Sequence, residues 1–277
     1  MDDKLAIIGG GNMAESIIAG VLGTGLLVPE AILVTNRSVG KLERLQARWG
    51  VRISYDNAHA AHWGNTILLA VKPVDMRAAL ASLHGAIDGK LIISVAAGVG
   101  IAQVQRWLGD AAHPVVRVMP NTPAQVGEAM SAWVASAAVT PAQCAQVRRL
   151  LGALGREIAM TEEEALDQVT AVSGSGPAYL FYLAETLIAS ARAIGLSEDE
   201  SRELVLQTIW GAAKMLRQGS ASPGAMRQAV TSKGGTTEAA LAEFARGDLS
   251  GVITRGVQAA YLRGGEIRRK LAAEAGA

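Results

Sequence analysis

The residues best placed to do chemistry are small and polar, and they come in clusters. The first is Gly9-Gly10-Gly11-Asn12-Met13-Ala14, between the apolar run Leu5-Ala6-Ile7-Ile8 and the helix-like Glu15-Ser16-Ile17-Ile18-Ala19. Gly9-x-Gly11-x-x-Ala14, after a strand and opening a helix, is a dinucleotide-binding fingerprint. Gly9 allows the tight turn, Gly11 lets the backbone approach a pyrophosphate, and Ala14 lets helix and strand pack closely. The phosphates sit on the free N–H groups and positive end of the helix. The plainer alternative is a glycine-rich turn in another α/β fold.

A site that prefers NAD carries an acid about 20 residues past the glycines, bonded to the ribose hydroxyls. Here the strand Ala31–Thr35 ends in Asn36-Arg37-Ser38, without one. Arg37 can pair with a 2′-phosphate, and Asn36 and Ser38 can donate to it. This favours NADP. Alternatively, Ser38 only caps the next helix and Arg37 is a solvated charge.

Two further clusters lie in the second half. Ser173-Gly174-Ser175-Gly176 crowds ahead of Pro177, a residue suited to the start of a helix. Thr231-Ser232-Lys233-Gly234-Gly235-Thr236-Thr237-Glu238 is a small polar loop opening another helix, and its free N–H groups suit a small carboxylate. Its alternative is a plain N-cap by Thr236 or Thr237. His59 and His62 are spaced to share a helix face but have no carboxylate or cysteine cluster beside them, so no metal site is expected. Cys144, the one cysteine, is expected to be a small hydrophobe in a reducing compartment.

The elements that position these clusters follow from pattern. The strand-like runs 66–71, 90–95 and 115–119, each with a helix-like neighbour, imply right-handed crossovers and a parallel sheet. Ligands of such sheets bind outside the carboxyl ends of the strands. From Thr161 onward helical patterns replace strands, with Thr161 expected as an N-cap and Glu162–Glu164 as an acidic first turn. The helix Ala178–Ile194 is apolar nearly all round and is expected to be central. The expected organisation is α/β: a dinucleotide-binding domain over residues 1–160 and a helical domain over 161–277.

Of the 277 residues, 26 are basic and 25 acidic, so no global field points to nucleic acid or a membrane surface. Asp2-Asp3-Lys4 is not a basic leader, and the uncharged stretch 129–147 holds Pro141, Gln143 and Gln146, which speaks against a membrane span. A soluble, cytoplasmic protein is expected.

Taken together, Ile8–Ala14, Leu69-Ala70-Val71-Lys72-Pro73, Val118-Met119-Pro120-Asn121-Thr122-Pro123, Ser173–Tyr179 and Ser232–Thr237 resemble the pyrroline-5-carboxylate reductases along the whole chain. The resemblance implies an N-terminal Rossmann domain and a helical domain that forms a homodimer, with dimers gathered as a pentamer of dimers. It implies NADPH as cofactor, with NADH possible, and a small cyclic imino acid as substrate. By matched position the cofactor contacts are Gly9, Gly11, Asn12, Met13 and Ala14; Asn36, Arg37 and Ser38; Asn57; Ala70, Val71, Lys72 and Pro73; and Ala96, Ala97 and Gly98. The matched substrate contacts are Glu163, Ser175, Ser232, Gly234, Gly235, Thr236 and Thr237. Thr237 matches the threonine whose hydroxyl meets the ring nitrogen. Lys233 departs from the proline of many relatives, and Ala229 stands where some have a polar residue. The same architecture serves imine reductases and β-hydroxyacid dehydrogenases, the latter needing an ionisable group such as a lysine, and would also serve a dinucleotide sensor. For the dehydrogenase Lys233 is the only candidate in these loops, and a sensor has no use for the Ser-Gly-Ser-Gly and Gly-Gly-Thr-Thr clusters.

Overall fold

A computed structural model describes residues 4–274; Asp2 and Asp3 lie outside them. The elements, in order, are β1 (Leu5–Ile8), α1 (Asn12–Gly23), β2 (Ile32–Thr35), α2 (Val39–Trp49), β3 (Arg52–Ser54), α3 (Asn57–Trp63), β4 (Thr66–Leu69), α4 (Met76–Ala81), β5 (Leu91–Ser94), α5 (Ile101–Leu108), β6 (Val115–Met119), β7 (Ala129–Ala135), α6 (Pro141–Gly152), β8 (Gly155–Ala159), α7 (Ala165–Val169), α8 (Gly176–Ala193), α9 (Glu198–Gln218), α10 (Pro223–Ala229), α11 (Thr236–Arg246) and α12 (Leu249–Glu274). The chain divides into two compact units, residues 1–175 with 260–277, and residues 176–259. Strands do end at β8, just ahead of residue 160, but the compact units part after Ser175.

The first unit is built on one sheet in the order β3-β2-β1-β4-β5-β6-β7-β8. Strands β1, β2, β4 and β5 are buried at every residue. They are apolar without alternation because both faces of a parallel sheet are covered. Leu5, Ile7, Ile32 and Val34 face one core, and Ala6, Ile8, Leu33 and Ile67 the other. Cys144 packs half-buried against the first.

The sequence pattern misses β7 and β8. The connection from β6 to β7, residues 120–128, holds only a short 3-10 turn. That is less than the dozen or so residues a parallel crossover needs, so β7 runs antiparallel to β6. β8 then joins β7 in parallel, with α6 between them. The polar residues that spoke against a membrane span serve α6: Pro141 begins it, and Thr140 and Gln143 form a reciprocal capping box. Among the described residues no helix is long and apolar enough to cross a membrane.

Two expectations about helices are corrected. No helix starts at Thr161; residues 162–167 run through i+3 turns and α7 begins at Ala165. Glu163, in the middle of the acidic run, is held by partners elsewhere in the unit, described below. Nor is α8 central in the single chain. It has no buried residue, and Phe181 and Tyr182 are about two-thirds exposed, at 68% and 70%.

In the second unit α8 and α9 follow one another through a short loop, and Ser197 and Glu200 form a second capping box at the start of α9. Among the described residues of this unit only Ser201 is buried. A unit of this size without a buried core does not fold alone, so its apolar helices are made to be covered.

Candidate active site

The strand order reverses between β1 and β4, so their carboxyl ends part and leave a crevice. Gly9 turns the chain there with φ +108°, and its N–H donates to Thr35 O at 3.0 Å. A Cβ on Gly9 would stand 2.6 Å from Ala70 O, so glycine is required twice over. Gly11 occupies the N-cap of α1 and supplies no side chain to its first-turn N–H groups. A Cβ on Gly11 would meet nothing within 4 Å. Bare N–H groups beneath open space make a cradle for a phosphate group.

Around this cradle the fold gathers Gly9, Gly11, Asn36, Arg37, Ser38, Asn57, Ala70, Val71 and Lys72 along one cleft. The amide of Asn57 is held from both sides: Thr35 Oγ1 donates to its Oδ1 at 2.6 Å, and its Nδ2 donates to Ser82 Oγ at 3.0 Å. Ser38 stands at the N-cap of α2, but its side chain makes no cap bond. Arg37, 84% exposed, is more than a solvated charge, because its Nη2 lies 2.8 Å from Asp75 Oδ1. Lys41, Asp75 and Ser82 also line the cleft, and sequence reasoning did not single them out.

The other expected cofactor residues stand apart from this lining. Ala14 is fully buried, so only its backbone can meet a ligand, and Met13 packs half-buried on the core. Asn12 lines a different groove, with Arg44 and Arg48, and Pro73 begins the 3-10 turn Pro73–Asp75. Ala96, Ala97 and Gly98 follow β5, on the far side of β4 from the glycine turn. Gly98, at φ +78°, packs on the end of α12, where a Cβ would come 3.1 Å from both Ile267 and Leu271.

Glu163 is part of a charged network inside the first unit. Its Oε1 accepts from Ile101 N–H and from Arg117 Nη1, both at 2.9 Å. Arg117, on β6, is 3% exposed. Its Nη2 lies 3.7 Å from Asp167, which pairs at 2.8 Å with Arg268 of α12. A buried guanidinium needs such carboxylates, which is why residues 162–164 do not wind into α7. Ser175 closes a π-helical turn, Thr170–Gly174, through its N–H to Thr170 O. Asn121 ties that turn to the end of β6, donating to Ser173 O at 3.1 Å and accepting from Met130 N–H at 2.9 Å.

In the second unit, Gly235 N–H donates to Ser232 O at 3.0 Å, and Gly234 has φ +73°. This is a type II turn with Lys233 at the position where proline is favoured. Gly235 is the N-cap of α11, again without a side-chain cap bond, so Thr236 and Thr237 are helical residues, not caps. Glu238 Oε2 accepts from Gly234 N–H at 2.7 Å, so a carboxylate of the chain itself rests on the turn.

A family profile described as NADP oxidoreductase, coenzyme F420-dependent, matches residues 4–98, the part that builds the cleft. Fold and cleft thus define a dinucleotide-dependent oxidoreductase of the Rossmann type. A second profile, described as pyrroline-5-carboxylate reductase dimerisation, matches residues 163–267. The pyrroline-5-carboxylate reductase of Synechocystis sp. is 38% identical over 270 residues, spanning 98% of this chain and 100% of that one. A solved pyrroline-5-carboxylate reductase from Coxiella burnetii superposes with a TM-score of 0.88 at 35% identity, covering 96% of this chain and 99% of that one. One from Plasmodium falciparum, with NADP bound, gives 0.87 at 26% identity, covering 96% and 98%. The chain belongs to the pyrroline-5-carboxylate reductase family.

Proposed function

We propose that this chain reduces 1-pyrroline-5-carboxylate to L-proline, the last step of proline biosynthesis. The observation that carries the reading is the bare glycine cradle at the switch point, joined in one chain to the Ser232–Gly235 turn. A dinucleotide held there would supply a hydride from nicotinamide C4 for the carbon of the cyclic C=N bond, whose nitrogen would gain a proton. The cleft residues Gly9, Gly11, Asn36, Arg37, Ser38, Asn57 and Ala70–Lys72 would hold the dinucleotide, with Pro73 and Ala96–Gly98 as further contacts. NADPH is the favoured donor, because Arg37, Lys41 and Lys72 set three cations against Asp75 along that cleft.

The substrate carboxylate sits on the Ser232–Thr237 loop in the place Glu238 takes on Gly234 N–H, and Ser175 and Glu163 contact the substrate away from its carboxylate. Glu238 on Gly234 N–H supports this, since it shows the turn accepting an anion of the same chemistry. Thr237 orients and polarises the imine nitrogen. A hydroxyl is too weak an acid to be the final proton source at neutral pH, so the proton comes from water or from the substrate's own exchange. Residues 1–160 serve the cofactor, and residues 161–277 serve the substrate and self-association. A second copy covers the exposed apolar face of α8, and dimers assemble as a pentamer of dimers in the cytoplasm.

The test is NADPH oxidation at 340 nm with purified protein and pyrroline-5-carboxylate, repeated with NADH. Rapid turnover is expected. Cofactor binding without turnover would move the assignment to another imine or carbonyl substrate, or to a dinucleotide sensor.

A further inference from the structure

The end of β2 lacks the acid of an NAD-preferring site, yet the fold supplies one from elsewhere. Asp75 comes from the turn after β4 and enters the same cleft as Asn36, Arg37 and Ser38. Its backbone is fixed there by its N–H, which donates to Lys72 O at 2.9 Å. Asp75 also stands at the N-cap of α4, a position where aspartate commonly bonds the helix's N–H groups, worth roughly 1 kcal/mol. It makes no such bond. Its carboxylate turns instead to Arg37, with Oδ1 2.8 Å from Nη2. The Asp75 side chain is 28% exposed against 84% for Arg37, so the acid is the fixed partner of the two.

We propose that Asp75 sets the cofactor selectivity of this chain, holding Arg37 at the adenosine end of the cleft while opposing a 2′-phosphate there. The proposal rests on the reading of Arg37 as the partner of that phosphate. Arg37 meets the carboxylate through Nη2, and the rest of its donor fork can meet an anion. A 2′-phosphate docked on the other side of the guanidinium lies about 6 Å from Asp75, and the two repel. For a single and a double negative charge at that distance in water, the repulsion lowers affinity about tenfold unscreened and about threefold at physiological salt. A 2′-hydroxyl feels none of it. Asp75 thereby narrows the gap between NADPH and NADH that the cations of the cleft create.

The experiment is to measure Kd and KM for NADPH and NADH in the wild type, Asp75→Asn and Arg37→Ala. Asparagine keeps an oxygen for Arg37 and removes the charge. Asp75→Asn should raise the NADPH-to-NADH selectivity about threefold to tenfold, carried by NADPH Kd and KM. The gain should shrink as salt rises from 0.05 to 0.5 M, a response that a purely structural role would lack. Unchanged or reduced selectivity in Asp75→Asn, or a gain insensitive to salt, overturns the proposal. Arg37→Ala weakening both cofactors equally overturns the assignment of the 2′-phosphate to Arg37, whatever Asp75→Asn does.

Discussion

Replacing Gly11 by alanine should separate cofactor binding from folding. Gly11 has φ −87° and ψ −176°, extended values open to any residue. As an N-cap, alanine is worse than glycine by roughly 0.5–1 kcal/mol. At a compatible φ and ψ, it gains about 0.4–1 kcal/mol by restricting the unfolded chain. The two nearly cancel, so Tm should move by less than about 2 °C. Binding should suffer far more, because the new methyl enters the space above the first-turn N–H groups. Losing one hydrogen bond to a charged phosphate costs about 1.5–3 kcal/mol, or roughly tenfold to 150-fold in Kd. Gly9→Ala is the contrasting variant. Its Cβ would collide with the backbone of Ala70 at φ +108°, and it should lose at least about 2 kcal/mol of stability. Thermal unfolding and NADPH fluorescence titration read both effects. A Gly11→Ala protein that binds NADPH within twofold of wild type would refute the placement of the pyrophosphate on this turn.

Four other outcomes are expected. Thr237→Ala should lower kcat/KM about tenfold to a hundredfold with cofactor affinity unchanged; an unchanged kcat/KM removes the hydroxyl from the mechanism. Glu163→Ala should cost about 1–3 kcal/mol in urea unfolding, since it leaves Ile101 N–H and much of Arg117 unpaired. Glu163→Gln, which keeps an acceptor, should cost less; equal losses would show that the hydrogen bonds do not matter. Lys233→Pro should raise stability by about 0.4–1 kcal/mol by presetting the type II turn, and a lower Tm would show that proline does not fit there. The Ser197 hydroxyl and N–H hold the Glu200 carboxyl below its usual 4.5. The folded value is thus depressed, so the stabilisation is complete above pH 4.5 and is lost as pH falls through the folded value. The Tm difference between wild type and Glu200→Gln should shrink across that acid range, and a constant difference would refute the link.

The parts of the site that are local in sequence were legible there. Strand, glycine turn and helix lie within Leu5–Gly23; Gly9 answers to a backbone demand, and Gly11 to the open space it leaves, both of which the spacing already states. What sequence spacing could not show was brought together by topology. Asp75 reaches Arg37 because β4 and β2 flank β1 in the sheet. Glu163 reaches Arg117 across 46 positions, and its side chain then overrides the helix-start pattern of the acidic run. The antiparallel β7 was hidden because an uncharged stretch reads as helix or strand alike, and only the length of the preceding connection decides its direction. The apolar girth of α8 was visible, but a sequence does not say whether the cover for such a helix comes from its own chain or from another.

That last feature shapes how the protein lives and fails. With Ser201 alone buried among the described residues 176–259, the helical unit draws its folding free energy from association. Separation and unfolding of this unit are then one event, and the melting temperature rises with protein concentration. Dilution is itself a denaturant for the Ser232–Gly235 turn, while the sheet with its two cores keeps its shape. A lone subunit would retain the cleft between β1 and β4 and lose the setting of Thr237, so turnover should vanish on dilution before cofactor binding does.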